Sequence, residues 1–228
     1  MKKGFKRYIG DKAFYATVLA VVVPIMVQNG ITNFVSLLDN IMVGRVGTEP
    51  MSGVAIVNQL IFVFNLGIFG ALSGAGIFGA QFFGCGKPEG VRHTFRFKLI
   101  AAAVLTVSAF LLFLFGGDML IKLYLHGEEN AEQLAAALHY GKQYLMIMLI
   151  GLPPFAWEQC YTSTLRECGE TVVPMKAGIV AVIVNLCLNA VLIFGMFGFP
   201  AMGVAGAAVA TVVARYVEMA IVLVWTHS

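Results

Sequence analysis

Seven polar residues interrupt an otherwise apolar stretch early in the chain: Gln28, Asn29, Thr32, Asn33, Ser36, Asp39 and Asn40. Positions 29, 32, 36 and 39 advance by alternate steps of three and four, which lays them along one face of a helix. Asp39 is the charged member. A carboxylate withdrawn from water can hold a cation or exchange a proton, and amide and hydroxyl oxygens beside it are hard donors suited to a hard cation such as Na+. Asn185 and Asn189 stand four apart and share a helix face. Thr211 adds a hydroxyl further on. Each of these residues has a plainer reading as an interhelical hydrogen-bonding group. For Asp39 the plainer reading is a place near a membrane interface, where a carboxylate costs less than the 2.5–3.5 kcal/mol or so it costs at mid-bilayer.

These residues sit in elements of unusual composition. The chain has 228 residues, 59% of them apolar and 12% charged, with mean hydropathy +0.85. Ordinary soluble domains carry about twice that charged share. A chain this short cannot bury so much apolar surface in water, so lipid is its solvent. This excludes a soluble enzyme, a disordered tail and a nucleic-acid binder. The net charge of +3 does not reopen the last, because the basic residues occupy short segments between apolar runs.

Six segments are long enough to cross a bilayer core, which needs about 20 apolar residues each. They run over about 14–43, 51–83, 99–115, 140–162, 173–194 and 204–225, after a basic tail over 1–13. The expected class is therefore all-α, a polytopic membrane protein whose six transmembrane helices form one lobe. Gly44, Gly47 and Pro50 close the first helix; Gly84, Gly86 and Pro88 close the second; Gly116 and Gly117 close the third. Residues 128–138 read as a short surface helix. By side, eleven Lys and Arg, Lys98 and Arg166 among them, face three (Arg45, Lys122, Lys142), with Arg215 inside the sixth span. That bias puts both termini in the cytoplasm, in a multi-pass protein of the cell membrane.

Depth then links the polar groups. Asp39 lies about 8 Å before the end of its helix, Asn189 about 9 Å before the end of its own, and Thr211 about 12 Å from the start of its own, all on the same side. Oxygen-bearing groups from three segments thus share one layer. The spacing does not say whether those helices are neighbours.

Other polar positions carry less. Glu158 and Gln159, one turn before Thr162, either line a cavity with Asn29, Asn33 and Ser36 or are hydrogen-bonded structural groups. Arg215 and Glu218 are three apart and read as a pair. Gly70 with Gly74, and Gly203 with Ala207, read as packing pairs. The histidines read as loop or terminal residues, and Cys85, Cys160, Cys168 and Cys187 show no metal or redox spacing. No P-loop, nucleophile elbow or HExxH is found, so the chain is not read as an enzyme and no cofactor is expected.

Four ordered blocks resemble the N-terminal half of a multidrug and toxic compound extrusion (MATE) transporter. They are Pro24 with the run from Ser36 through Asp39 and Met42 to Gly47; Gln81 to Gly86; Leu165 to Met175; and Asn185 to Asn189, continuing through Gly195 and Pro200 to Thr211. The resemblance implies a Na+- or H+-coupled antiporter that exports amphipathic, often cationic drug-like compounds and alternates between outward-open and inward-open states. It implies a cation site at Asp39, with Asn185, Asn189 and Thr211 as companions. Some members carry Asp where this chain has Asn189, which leaves Na+ and H+ both open. Full members have twelve spans, so the partners implied are a C-terminal lobe, absent from this chain, or a second copy. Two alternatives stand beside this reading: a flippase for a lipid-linked precursor, and a non-transporting or degenerate half-transporter subunit.

Overall fold

The computed structural model describes residues 10–125 and 131–228, the side chains of Ser36, Glu49 and Ala131 excepted. Helices follow in the order α1 (Lys12–Gly44), α2 (Thr48–Gly84), α3 (Pro88–Tyr124), α4 (Ala131–Ile150), α5 (Leu152–Glu167), α6 (Val172–Phe194) and α7 (Val204–His227). Among the described residues there is no strand. Five of the helices, α1, α2, α3, α6 and α7, are long and apolar enough to cross a bilayer.

Helix ends follow local chemistry. The Asp11 carboxylate caps α1 by accepting from the Phe14 amide at 2.8 Å. Gly195 ends α6 with φ of 71°, a left-handed position where a side chain would also strike the Phe199 carbonyl and the Ala201 amide. Glu170 accepts from the Val172 and Val173 amides at 3.0 and 3.1 Å and so satisfies the start of α6.

Four expectations change here. The single helix expected over 140–162 is two, α4 and α5, divided at Gly151. Pro153 and Pro154 supply no amide hydrogens, so the hydrogen-bond ladder cannot run through them. The two halves pack in succession along α2 and α3. Residues 131–138 are the first turns of α4 rather than a separate surface helix, and 128–130 lie outside the described residues. Gly116 and Gly117 do not stop α3, which runs through them to Tyr124. Gly117 instead lets the helix approach α4, where a Cβ would come within 2.7 Å of Leu145. His93 and His139 likewise lie within α3 and α4, not in loops.

The helices form two groups. α1, α6 and α7 pack together, as do α2, α3, α4 and α5, and α7 joins them through contacts with α4 and α5. Val57, Ile68, Ile121, Leu145, Met148 and Leu152 fill the core. Outward, large side chains such as Met26, Phe34, Phe115 and Met119 are left more than half exposed. In water such a surface would drive association; in lipid it is the solvated face. Close helix approach depends on glycine at different places from those expected. Gly70 and Gly74 have nothing within 4 Å of an added Cβ, whereas Gly206 lies against the Leu192 carbonyl and Gly53 against the α4 backbone at Ala137 and Gly141.

Lys98, expected in a loop, is wholly buried within α3. Its ammonium pairs with Glu167 at the end of α5 and donates to Ser163 Oγ and Thr164 Oγ1 at 3.2 Å each. Gly76 and Gly79 of α2 make room for the Glu167 carboxylate, which would collide with a Cβ at either position. A buried charge pair stands only while both members are present.

Two stability outcomes follow. Gly53→Val should lower thermal stability of the detergent-solubilised protein by about 1–3 kcal/mol through overpacking, while Gly70→Val should leave the melting curve nearly unchanged. Lys98→Met should cost about 3–5 kcal/mol by stranding Glu167, and adding Glu167→Leu should recover most of that loss. A double variant as unstable as the single one would argue against the stranded-charge account.

Candidate functional site

Asp39 comes from α1, Asn185 and Asn189 from α6, and Thr211 from α7. The structure brings all four together. Asn189 Nδ2 donates to Asp39 Oδ1 at 2.7 Å and to Asn185 Oδ1 at 3.1 Å. Asn185 Nδ2 lies 3.2 Å from Thr211 Oγ1, and that hydroxyl donates to the Ala207 carbonyl at 3.0 Å. With its amide turned over, Asn185 instead stands 3.1 Å from both Asp39 oxygens as a donor and accepts from Thr211. Either orientation keeps one network.

The helical periods make this possible. Asn185 and Asn189 face α1 and α7 from one turn of α6, and α6 packs against both helices. Asn189 is 1% exposed, yet its Oδ1 has no hydrogen-bond partner. A buried amide oxygen without a donor, next to a carboxylate, is a position that a cation can satisfy. Asn189 Nδ2, not that oxygen, faces Asp39, so Oδ1 joins the Asp39 carboxylate only when the amide turns over. Among the described residues no group of three or more His, Cys, Asp or Glu gathers in a metal-binding arrangement.

The network separates two cavities. One, of about 580 Å³, lies among α1, α5, α6 and α7. Its lining includes Asn29, Thr32, Phe69, Phe155, Gln159 and Glu218 as well as Asp39. The other, of about 330 Å³, opens toward α2 and α4 and is lined by Asn40, Asn58, Asn65 and Tyr144. Asp39, Thr211 and Arg215 border both.

Of the remaining sequence candidates, Asn29 and Gln159 line the larger cavity. Asn33 is exposed and is not part of that lining, and the Ser36 side chain lies outside the described residues. Glu158 is buried behind the wall, held by the Thr162 hydroxyl and by Gln159 Nε2, the latter at 2.8 Å. Arg215 does not pair with Glu218. It donates to the Gly151 carbonyl at the start of α5 at 3.0 Å and stacks on Phe155 at 5.0 Å. Arg166, expected in a loop, reaches the larger cavity and donates to Gln28 Oε1 at 2.8 Å. Its position after an apolar run concealed it, since only the fold turns α5 back toward α1.

The MatE family profile matches residues 24–191. The chain belongs to that family. Among curated relatives, a probable multidrug resistance protein NorM of Thermotoga maritima is 31% identical over 198 residues, covering 85% of this chain and 40% of the relative. The multidrug resistance protein MdtK of Pectobacterium atrosepticum is 26% identical over 211 residues, covering 91% and 44%. A solved outward-facing MATE family transporter of the MOP superfamily superposes with TM-score 0.79 at 21% identity, over 92% of this chain and 44% of that one. A MOP superfamily transporter from Pyrococcus furiosus also superposes with TM-score 0.79, at 21% identity. The chain thus spans less than half the length of these MatE relatives, consistent with the N-terminal half. Its all-α membrane fold is the fold of that half.

The network makes a charge prediction. Asn189→Asp would set a second carboxylate against Asp39. Two like charges at that distance cannot both ionise without loss. The variant should be less stable than the parent at neutral pH and regain stability as pH falls or Na+ is added. A melting temperature that ignores both would count against the pairing.

Proposed function

We propose that this chain is the cation-responsive lobe of an exporter of amphipathic, mainly cationic organic compounds, driven by inward flow of Na+ or H+. The single observation that carries the reading is the Asp39–Asn189–Asn185–Thr211 network, with an unpartnered buried Asn189 oxygen, placed between two cavities. The relatives named as multidrug resistance proteins support export rather than enzyme chemistry. The lobe would sit in the cell membrane with both termini cytoplasmic, and the second half of the transport path would come from a C-terminal lobe or a second copy.

The proposed mechanism uses the chain's own oxygens. Na+ entering from the smaller cavity meets the Asp39 carboxylate and the Asn185, Asn189 and Thr211 oxygens. To offer Oδ1, the Asn189 amide turns and gives up its bond to Asp39, so cation binding and the α1–α6 hydrogen bond exclude each other. A proton on Asp39 weakens the same bond. Either ion favours the arrangement of α1 that no longer needs Asn189, and it can shift the lobe only by its difference in affinity between states. The larger cavity falls within the usual 300–1,000 Å³ range for small-molecule sites. Phe69 and Phe155 give it apolar surface, and its charged lining is Asp39 and Glu218 with Arg166 and Arg215.

The lining also bears on the flippase alternative. Arg166 and Arg215 face the same cavity as Asp39 and Glu218, so the charges balance. A site for a polyanionic lipid headgroup would need an excess of basic groups. The balanced lining weighs against the flippase alternative.

Asp39→Asn tests the assignment. Membrane insertion should be retained, and efflux of a cationic dye driven by a Na+ or proton gradient should fall at least tenfold. Undiminished gradient-driven efflux in the variant would sink the reading.

A further inference from the structure

Pro24 lies inside α1 without an amide hydrogen, so the Ala20 carbonyl one turn earlier loses its helical partner. In lipid such a carbonyl must find another donor. The buried Thr171, at the junction of α5 and α6, places its hydroxyl 3.5 Å from that carbonyl. One turn past the proline, Arg166 Nη2 donates to Gln28 Oε1 at 2.8 Å. Gln28 fits there because Gly178 of α6 has no side chain: a Cβ would come within 2.6 Å of Gln28 Nε2. One short segment therefore touches α1 on both sides of its proline.

That segment is itself anchored. Ser163, Thr164 and Glu167 hold the buried Lys98 ammonium of α3, and Glu167 is seated between Gly76 and Gly79 of α2. Arg166 and Glu167 are adjacent, so the α2–α3 body is linked to α1 through one turn of α5.

We propose that Arg166 and Thr171 are positioning residues that brace α1 across Pro24 and so hold Asp39 against Asn189. This rests on the reading of Asp39 as the coupling group. Two facts make a brace necessary. Only 6% of the most apolar stretch of α1 is buried, against 39% for α2 and α6, so side-chain packing restrains this helix least. Asp39 lies fifteen residues beyond Pro24, about 22 Å along the axis. A kink of about 20° at the proline would move Asp39 by about 8 Å, far more than its 2.7 Å bond to Asn189 tolerates. Gln28, Thr32 and Asp39 all line the larger cavity, so the brace also sets where the polar face of α1 stands in that cavity.

The test uses the protein in lipid nanodiscs with Cys85 and Cys187 replaced and spin labels at Ile41→Cys and Phe115→Cys. Thr171→Val and Arg166→Met should each broaden or shift the label distance by several ångströms. Thr171→Ser keeps the hydroxyl and should match the parent. Pro24→Ala returns an amide hydrogen to the Ala20 carbonyl, so Pro24→Ala combined with Thr171→Val should restore the narrow distribution. Identical distributions in all variants, or a double variant as broad as Thr171→Val, would overturn the brace. In proteoliposomes, Thr171→Val weakens the Asp39–Asn189 bond that competes with the ion, so it should lower the ion concentration for half-maximal dye efflux several-fold with the maximal rate retained. An unshifted half-saturation would overturn the link to Asp39. Efflux in the parent that ignores both ions would refute the Asp39 reading instead, while the label distances still decide the brace.

Discussion

Inside a bilayer no water is present to satisfy a polar group, and the rest of this structure depends on that constraint. A polar atom placed at depth is costly unless it finds a partner in the protein. The Asp39 carboxylate finds Asn189, the Lys98 ammonium finds Glu167, and the Arg215 guanidinium finds the Gly151 carbonyl. These bonds join helices far apart in sequence. The apolar side chains that dominate the chain cannot discriminate in this way, because lipid receives them as readily as a neighbouring helix does.

Backbone irregularities follow the same rule. α5 begins with two prolines, whose missing amide hydrogens free the Leu149 and Ile150 carbonyls, and the Tyr216 hydroxyl of α7 lies 3.4 Å from the latter. α1 carries Pro24, which frees the Ala20 carbonyl toward Thr171. In both cases a broken ladder on one helix is repaired by a side chain of another, so the break fixes which helices meet. Glycine acts in the complementary way. Gly53, Gly117 and Gly206 let backbones approach, and Gly76, Gly79 and Gly178 leave space that polar side chains occupy. Specific bonds of this kind, rather than a uniformly packed core, tie the helices of this MatE lobe together.

Much of this was legible in the residue order. Asp39, Asn185, Asn189 and Thr211 share a depth because helix rise is regular, and the structure gathers all four. The extents of α1, α2, α6 and α7 agree closely with the apolar runs and their glycine and proline ends. Errors arose where a local signal had two meanings. Gly116 and Gly117 resemble a helix stop, but α3 passes through because Gly117 fits beneath Leu145. Lys98 resembles a loop lysine, but a carboxylate sixty-nine residues away draws it inside. Arg215 and Glu218 have the spacing of a pair, yet the guanidinium goes to the Gly151 carbonyl and the Phe155 ring.

The amino-acid sequence by itself determined the solvent, the helical class, the polar stripe on α1 and the layer in which the oxygen donors lie. These depend on composition and on the fixed rise and turn of a helix, which are properties of single segments. Only the tertiary structure decided that α1, α6 and α7 are neighbours, that Asp39 stands between two cavities, and that Arg166 and Thr171 reach α1 on either side of Pro24. Those outcomes turn on which polar groups meet across helices. Such pairings are set by the joint satisfaction of many buried donors and acceptors, which no single segment encodes.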